Sequence, residues 1–288
     1  MPRAIQFVRH SSELGRWESA VAEPHPALRG YVREYIGGTE ETHRPLVRRE
    51  LPTEIAPVII NFGAPFRMFD HANSAKYVEL RSFATGAFDA YVLVGSTGPY
   101  SCVQINFTIL GARRFLQRPL QELTNQVVSL DDVLGKQGRH LEMQLYDAAT
   151  WEERFDLLDR VILARIVHAA DVPGAVSYGW ERLLRRAGRV SIGALVRETG
   201  WSHKHFVAQF TEQIGLTPKA MARVLRFGRA AELLKTSERG RFADIAYACG
   251  YYDQAHFTRD FTAFAGVSPG TLLATQLPNR GGFIAEVE

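Results

Sequence analysis

The chain has 288 residues, with 34 Lys/Arg, 31 Asp/Glu, 46% hydrophobic residues and only two cysteines. That composition excludes a disordered chain and a membrane-spanning one, and Cys102 and Cys249 are too few for a disulfide framework or a cysteine-rich metal site. The first twenty residues carry Arg3, Arg9, Glu13, Arg16 and Glu18 and no long apolar run, so no secretory signal is expected and the expected compartment is the cytoplasm. The charge is unevenly placed. Residues 178–277 hold 14 Lys/Arg against 8 Asp/Glu, and the remainder 20 against 23. A basic C-terminal part points to an anionic partner for that end alone.

Taken in chain order, residues 1–130 read mostly as strand. The runs 55–62 (IAPVIINF), 90–95 (AYVLVG) and 101–110 (SCVQINFTIL) are rich in strand formers and are punctuated by Gly and Pro, which predicts a small barrel or sandwich. From about Gly111 the pattern turns helical. Between residues 139 and 169, Leu141, Leu145, Trp151, Phe155, Leu158, Ile162 and Ile166 recur at helical steps. Two helices broken near 148–150 are expected, with Thr150 capping the second; they pack on the β-rich part or pair with a second copy. The segment 170–176 (ADVPGAV) reads as a linker, because Pro173-Gly174 disfavours helix. The expected organisation is a β-rich domain over 1–135, a helical subdomain over 136–170, an all-helical domain over 171–277 and a loose tail over 278–288.

The helical domain contains an internal repeat. Phe206, Phe210, Gly215 and Pro218 recur 51 residues later as Phe257, Phe261, Gly266 and Pro269, and Gly200 recurs 50 residues later as Gly250. Each copy reads as a short helix, a glycine turn and a second helix capped by Ser202 or Asp253. The phenylalanines lie four apart, so each pair faces the core from one side of the second helix. Such a unit is a helix-turn-helix, whose second helix inserts its N-terminal residues into the major groove of double-stranded DNA. Residues 218–234 form one long connecting helix of about 26 Å, placing the two reading helices about one DNA turn apart. Gly228 is unusual inside it, and close packing or a bend is the expected reason.

These residues, with Arg226, Arg229, Ala230, Leu233, Leu234, Ile245, Ala246, Cys249, Tyr251 and Gln254, resemble the AraC/XylS family of transcription regulators over about a hundred residues. Tyr252 departs from the serine usual there. The resemblance implies an α+β chain: an N-terminal cupin-like β-barrel with a helical subdomain, then an all-α domain with two helix-turn-helix motifs. It also implies a small-molecule effector or dimerisation through the N-terminal domain, a homodimer, and RNA polymerase as a further partner. A barrel that serves only protein–protein contact is the other reading; a cavity would favour a sensor.

For DNA contact the candidates are His203, Lys204, Val207 and Gln209 in the first reading helix and Gln254, His256, Thr258 and Arg259 in the second. Gln254 suits adenine, and Arg259 suits guanine or a phosphate. Asp253 is expected to cap its helix, since phosphates would repel it. Arg226 and Arg229 are expected to pair with acids such as Glu232 or Asp244, or to reach phosphates. His203 and His205 point about 200° apart on a helix and cannot share a metal ion. No catalytic motif, cofactor-binding motif or metal-ligand spacing is found, and both cysteines read as small apolar residues, so no enzyme is expected.

Overall fold

A computed structural model describes residues 3–69, 76–236, 242–279 and 281–285. The chain is α+β. Its strands come first: β1 Ile5–Ser12, β2 Gly15–Ala22, β3 Val32–Thr42, β4 Val47–Glu50, β5 Ile55–Asn61, β6 Phe66–Phe69, β7 Tyr77–Leu80, β8 Phe83–Thr85, β9 Val92–Ser96, β10 Tyr100–Thr108 and β11 Val127–Ser129. Among them and after them lie α1 Ile109–Leu116, α2 Leu130–Leu134, α3 Lys136–Asp147, α4 Trp151–Val167, α5 Gly174–Arg185, α6 Ile192–Thr199, α7 His203–Ile214, α8 Pro218–Thr236, α9 Phe242–Ala248, α10 Gln254–Ala265 and α11 Pro269–Ala274.

The strands form two sheets. One runs β1-β2-β3-β10-β5-β8-β11 and the other β4-β9-β6-β7, with no ladder joining the two among the described residues. All of their pairings are antiparallel. Alternation along β10 sorts its side chains: Val103, Ile105 and Phe107 are fully buried on one face, and Tyr100, Cys102 and Gln104 face the second sheet. The first face is covered by α1 and α4. Phe115 stacks on Phe107 at 4.7 Å, and Phe155 on Tyr35 at 5.6 Å. Burying such rings contributes about 1.5–3 kcal/mol each.

The helix ends follow local chemistry. Thr108 ends β10 and caps α1, its hydroxyl accepting from Gly111 N at 3.0 Å. Thr150 and Glu153 close a reciprocal capping box at the start of α4, as the break near 148–150 predicts. Two expectations are corrected. The linker is shorter than 170–176: Pro173 takes the N-cap position, and α5 begins at Gly174. A proline there suits a helix start, where its missing N–H costs nothing. The tail is not loose up to Ala285. Ile284 bridges Arg48, Ala285 N donates to Val47 O at 2.9 Å, and Trp17 Nε1 donates to Asn279 O at 3.2 Å. The tail thereby extends the edge of β4, an unpaired row that invites another segment.

Candidate nucleic-acid interface and an adjoining cavity

Each half of the helical domain is a helix-turn-helix. α6 ends at Gly200 (φ 71°) and α9 at Gly250 (φ 76°), a left-handed backbone that glycine adopts without strain. Ser202 Oγ accepts from His205 N at 3.3 Å, and Asp253 Oδ1 accepts from His256 N at 2.6 Å, which starts α7 and α10. Phe206, Phe210, Phe257 and Phe261 are fully buried, with ring separations of 5.8 Å in the first pair and 5.5 Å in the second.

α8 packs against both halves. It spans 19 residues, about 28 Å. Its Phe227 sits 4.9 Å from Phe261 and 5.1 Å from Phe264, and Arg223 Nη2 donates to Asp260 Oδ1 at 2.6 Å. That bond raises the Arg223 pKa. Arg226 differs from expectation: it donates to Gly188 O at 3.5 Å and lies over the Tyr251 ring. The arginine that pairs with an acid across the motif is Arg223, which its sequence context does not distinguish from its neighbours. Gly228 serves no close packing, since the nearest atom to a Cβ there would be Glu54 Oε2 at 3.9 Å.

The first turns of the reading helices face outward. His203, Lys204, Gln254 and Arg259 are exposed, whereas Val207 and Thr258 are half-buried. Gln209 is also half-buried, and its Nε2 donates to Glu212 Oε2 at 2.9 Å. One repeat period on, Asp260 occupies the same position and turns inward to Arg223, which puts Gln209 on the flank of its helix. His256 packs edge-on against Tyr251 at 5.4 Å, so its ring supports the turn. Two tyrosines outside the expected contact set stand out beside the second turn, Tyr252 at 93% exposure and Tyr247 at 87%. The signal for Tyr252 is the extra residue in that turn.

The far ends of both reading helices dock on the β-rich domain. Thr124 Oγ1 donates to Gly215 O at 2.6 Å, and Arg113 Nε to Gln213 Oε1 at 2.7 Å. Arg49 Nη1 donates to Ala265 O at 2.8 Å while stacking on Tyr91. A Cβ at Gly266 would lie 2.2 Å from Tyr91 Cε1, so the approach needs glycine there.

Residues 195–275 match the family model described as Helix-turn-helix domain, and residues 20–129 match one described as Domain of unknown function (DUF6597). Over 154 residues the chain is 30% identical to the HTH-type transcriptional activator RhaR of Pectobacterium atrosepticum, covering 47% of this chain and 54% of that one. Over 70 residues it is 36% identical to the uncharacterized HTH-type transcriptional regulator YbfI of Bacillus subtilis, covering 24% of this chain and 25% of that one. Over residues 195–275 the chain therefore carries a helix-turn-helix domain of the AraC type. The chain spans a quarter to about half the length of the curated relatives it matches. It is also similar to the crystal structure of apo ToxT K231A from Vibrio cholerae, with 12% identity, a TM-score of 0.44, and coverage of 82% of this chain and 95% of that one.

The two sheets of the β-rich domain line a cavity of about 250 Å³. Its wall is largely apolar, with Ile55, Ile59, Phe66, Met68, Phe83 and Val94 prominent. A more polar pocket of about 320 Å³ adjoins it and shares Arg48, Glu50, Tyr100, Cys102 and Gln104. Arg48 is clamped: Nη1 and Nη2 donate to the two Glu40 oxygens at 3.0 and 2.7 Å, and Nε donates to Gly281 O at 2.7 Å. Burial works against its charge, but Tyr100 and Glu40 outweigh it and raise its pKa. Tyr100 OH also donates to Glu40 at 3.0 Å, and its own pKa is pushed well up, first by burial and then by Glu40. Burial with Glu40 nearby pushes the Cys102 thiol up to about 12, which keeps it neutral, as a small apolar residue would be.

Proposed function

We propose that this protein is a sequence-specific DNA-binding transcription regulator that reads double-stranded DNA with α7 and α10. The observation that carries this reading is the duplicated helix-turn-helix, whose outward first turns bear His203, Lys204 and Gln254, with Arg259 a turn further along. Lys204 and Arg259 contact phosphates or base edges, and Gln254 a base edge. Gln209 and His256 support the helices from the side, in keeping with their partners Glu212 and Tyr251.

The cavity favours a small-molecule sensor over a filled sandwich that serves only protein contact. The strand β4 supplies a route from one site to the other. Arg48 and Glu50 line the cavity, while Arg49 between them holds the end of α10 through Ala265. A ligand that shifts β4 therefore changes how the second reading helix is held, which is differential contact of the kind allosteric coupling requires.

The test is a salt titration of binding to a DNA fragment selected from genomic pull-down. Replacing both Lys204 and Arg259 by alanine should weaken binding at least tenfold and flatten the slope of log affinity against log salt by roughly two, one per lost phosphate contact. An unaltered affinity and slope would remove both residues from the interface.

A further inference from the structure

The charges in the cavity wall do not cancel. Arg48 and Glu40 neutralise each other through two hydrogen bonds, and the Arg48 Nε–H is taken by Gly281 O. Arg48 and Glu50 are the charged residues lining the apolar compartment, so Glu50 is left in excess. Its carboxylate has no hydrogen-bond or ion-pair partner among the described residues. Glu50 is an exposed residue that lines the cavity, and the protein packed around it raises its pKa while Arg48 opposes the rise. A second group in the same wall is also unsatisfied. Ser96 is 5% exposed and its Oγ has no hydrogen-bond partner. Leaving a buried hydroxyl such as that of Ser96 unpaired costs about 1–3 kcal/mol, and with the unpartnered Glu50 carboxylate in the same wall it points to a ligand that completes both.

Resting on the sensor reading, we infer that the cavity binds a small organic amine, its cationic nitrogen on Glu50 and its compact apolar body among Ile59, Phe66, Met68 and Val94. The size of the ligand follows from the volume. A cavity of about 150 Å³ holds benzene, so 250 Å³ takes roughly ten non-hydrogen atoms. An ammonium group suits Glu50 for two reasons: it offers several N–H donors, and it brings the unit of positive charge that Arg48 has already spent on Glu40. An anionic ligand of the same size would meet Glu50 with like charge, and a neutral one would form no charge-assisted hydrogen bond with it.

The experiment uses the full chain and three probes of matched size and opposite polarity: phenethylamine, 2-phenylethanol and phenylacetate, with binding read by calorimetry and by thermal shift. Phenethylamine should bind at least tenfold more tightly than either of the others. Glu50→Gln should remove that preference while melting no lower than the parent, since it discharges an unpaired carboxylate, and Glu50→Asp should restore part of the preference. Equal or tighter binding of the alcohol or the acid would overturn the amine assignment and leave the cavity as a sensor for another ligand class. Binding of none of the three at millimolar concentration, or amine binding indifferent to Glu50→Gln, would also overturn it. The sensor reading is judged on a separate axis. If phenethylamine binds through Glu50 yet leaves affinity for the selected DNA unchanged, the amine site stands and its coupling to DNA falls.

Discussion

At the scale of single residues, Asp159 shows how much one buried carboxylate can organise. It is 6% exposed and accepts from Tyr35 OH and His25 N, each at 2.9 Å, and it is ion-paired with Arg3. These partners come from β3, the segment after β2 and the N-terminal residues, so one side chain on α4 fastens the helix to the sheet. Burial and the neighbouring Asp159 charge drive the Tyr35 hydroxyl well above its ordinary range, which keeps it a donor at every accessible pH. Asp159→Ala strands Tyr35 OH and His25 N and leaves Arg3 with Asp156 and the Glu23 carbonyl, and breaking a buried pair of this kind costs about 3–5 kcal/mol. A fall in melting temperature on the order of 10 °C is expected, with the purified protein still binding DNA below its transition. A shift of only a degree or two would mean that water replaces the carboxylate. No such role was legible in the sequence, where Asp159 is one polar residue among several on an amphipathic helix.

At the scale of elements, the helix-turn-helix units depend on local rules that a sequence displays openly. Gly200 and Gly250 supply the left-handed turn, Ser202 and Asp253 cap the reading helices, and phenylalanines four apart face inward. α8 obeys the same rules with one exception, Gly228. Its position carries no packing demand, the nearest atom to an added Cβ being 3.9 Å away. Gly228→Ala should therefore stabilise the protein by about 1 kcal/mol through the helix propensity alone, raising the midpoint of a urea transition at unchanged slope. A loss of stability would show that α8 needs the freedom of glycine, as a hinge between the two motifs would. The strands were less legible. Residues 55–62 and 101–110 were recognisable because they are apolar and β-branched, and they became β5 and β10. The boundary at Thr108 was overrun, because the hydroxyl that ends the strand also caps α1.

At the scale of the whole molecule, both reading helices are held at their C-terminal ends by the β-rich domain, through Thr124 to Gly215, Arg113 to Gln213 and Arg49 to Ala265. Their N-terminal turns remain exposed. Separating the domains tests the division of labour. A fragment of residues 171–288 should still bind the selected DNA, with about a tenfold loss of affinity, since the motifs then have to be oriented on binding rather than beforehand. No detectable binding at low salt by a folded fragment would show that the β-rich domain is part of the reader.

What the sequence alone determined is the helical domain: its duplicated motif, its caps, its buried aromatic pairs and its likeness to AraC-type helix-turn-helix domains. Those features are set by residues within a turn or two of each other, where spacing dictates geometry. Tertiary structure alone decided which strands share a sheet, that the tail closes the edge of β4, and that Arg48 and Glu50 line the cavity while Arg49 between them reaches α10. A four-residue strand with three charged residues in a row does not declare which of its faces lines a cavity. That depends on pairing with β9 more than forty residues away and on a tail more than two hundred residues further along, contacts that no local periodicity encodes.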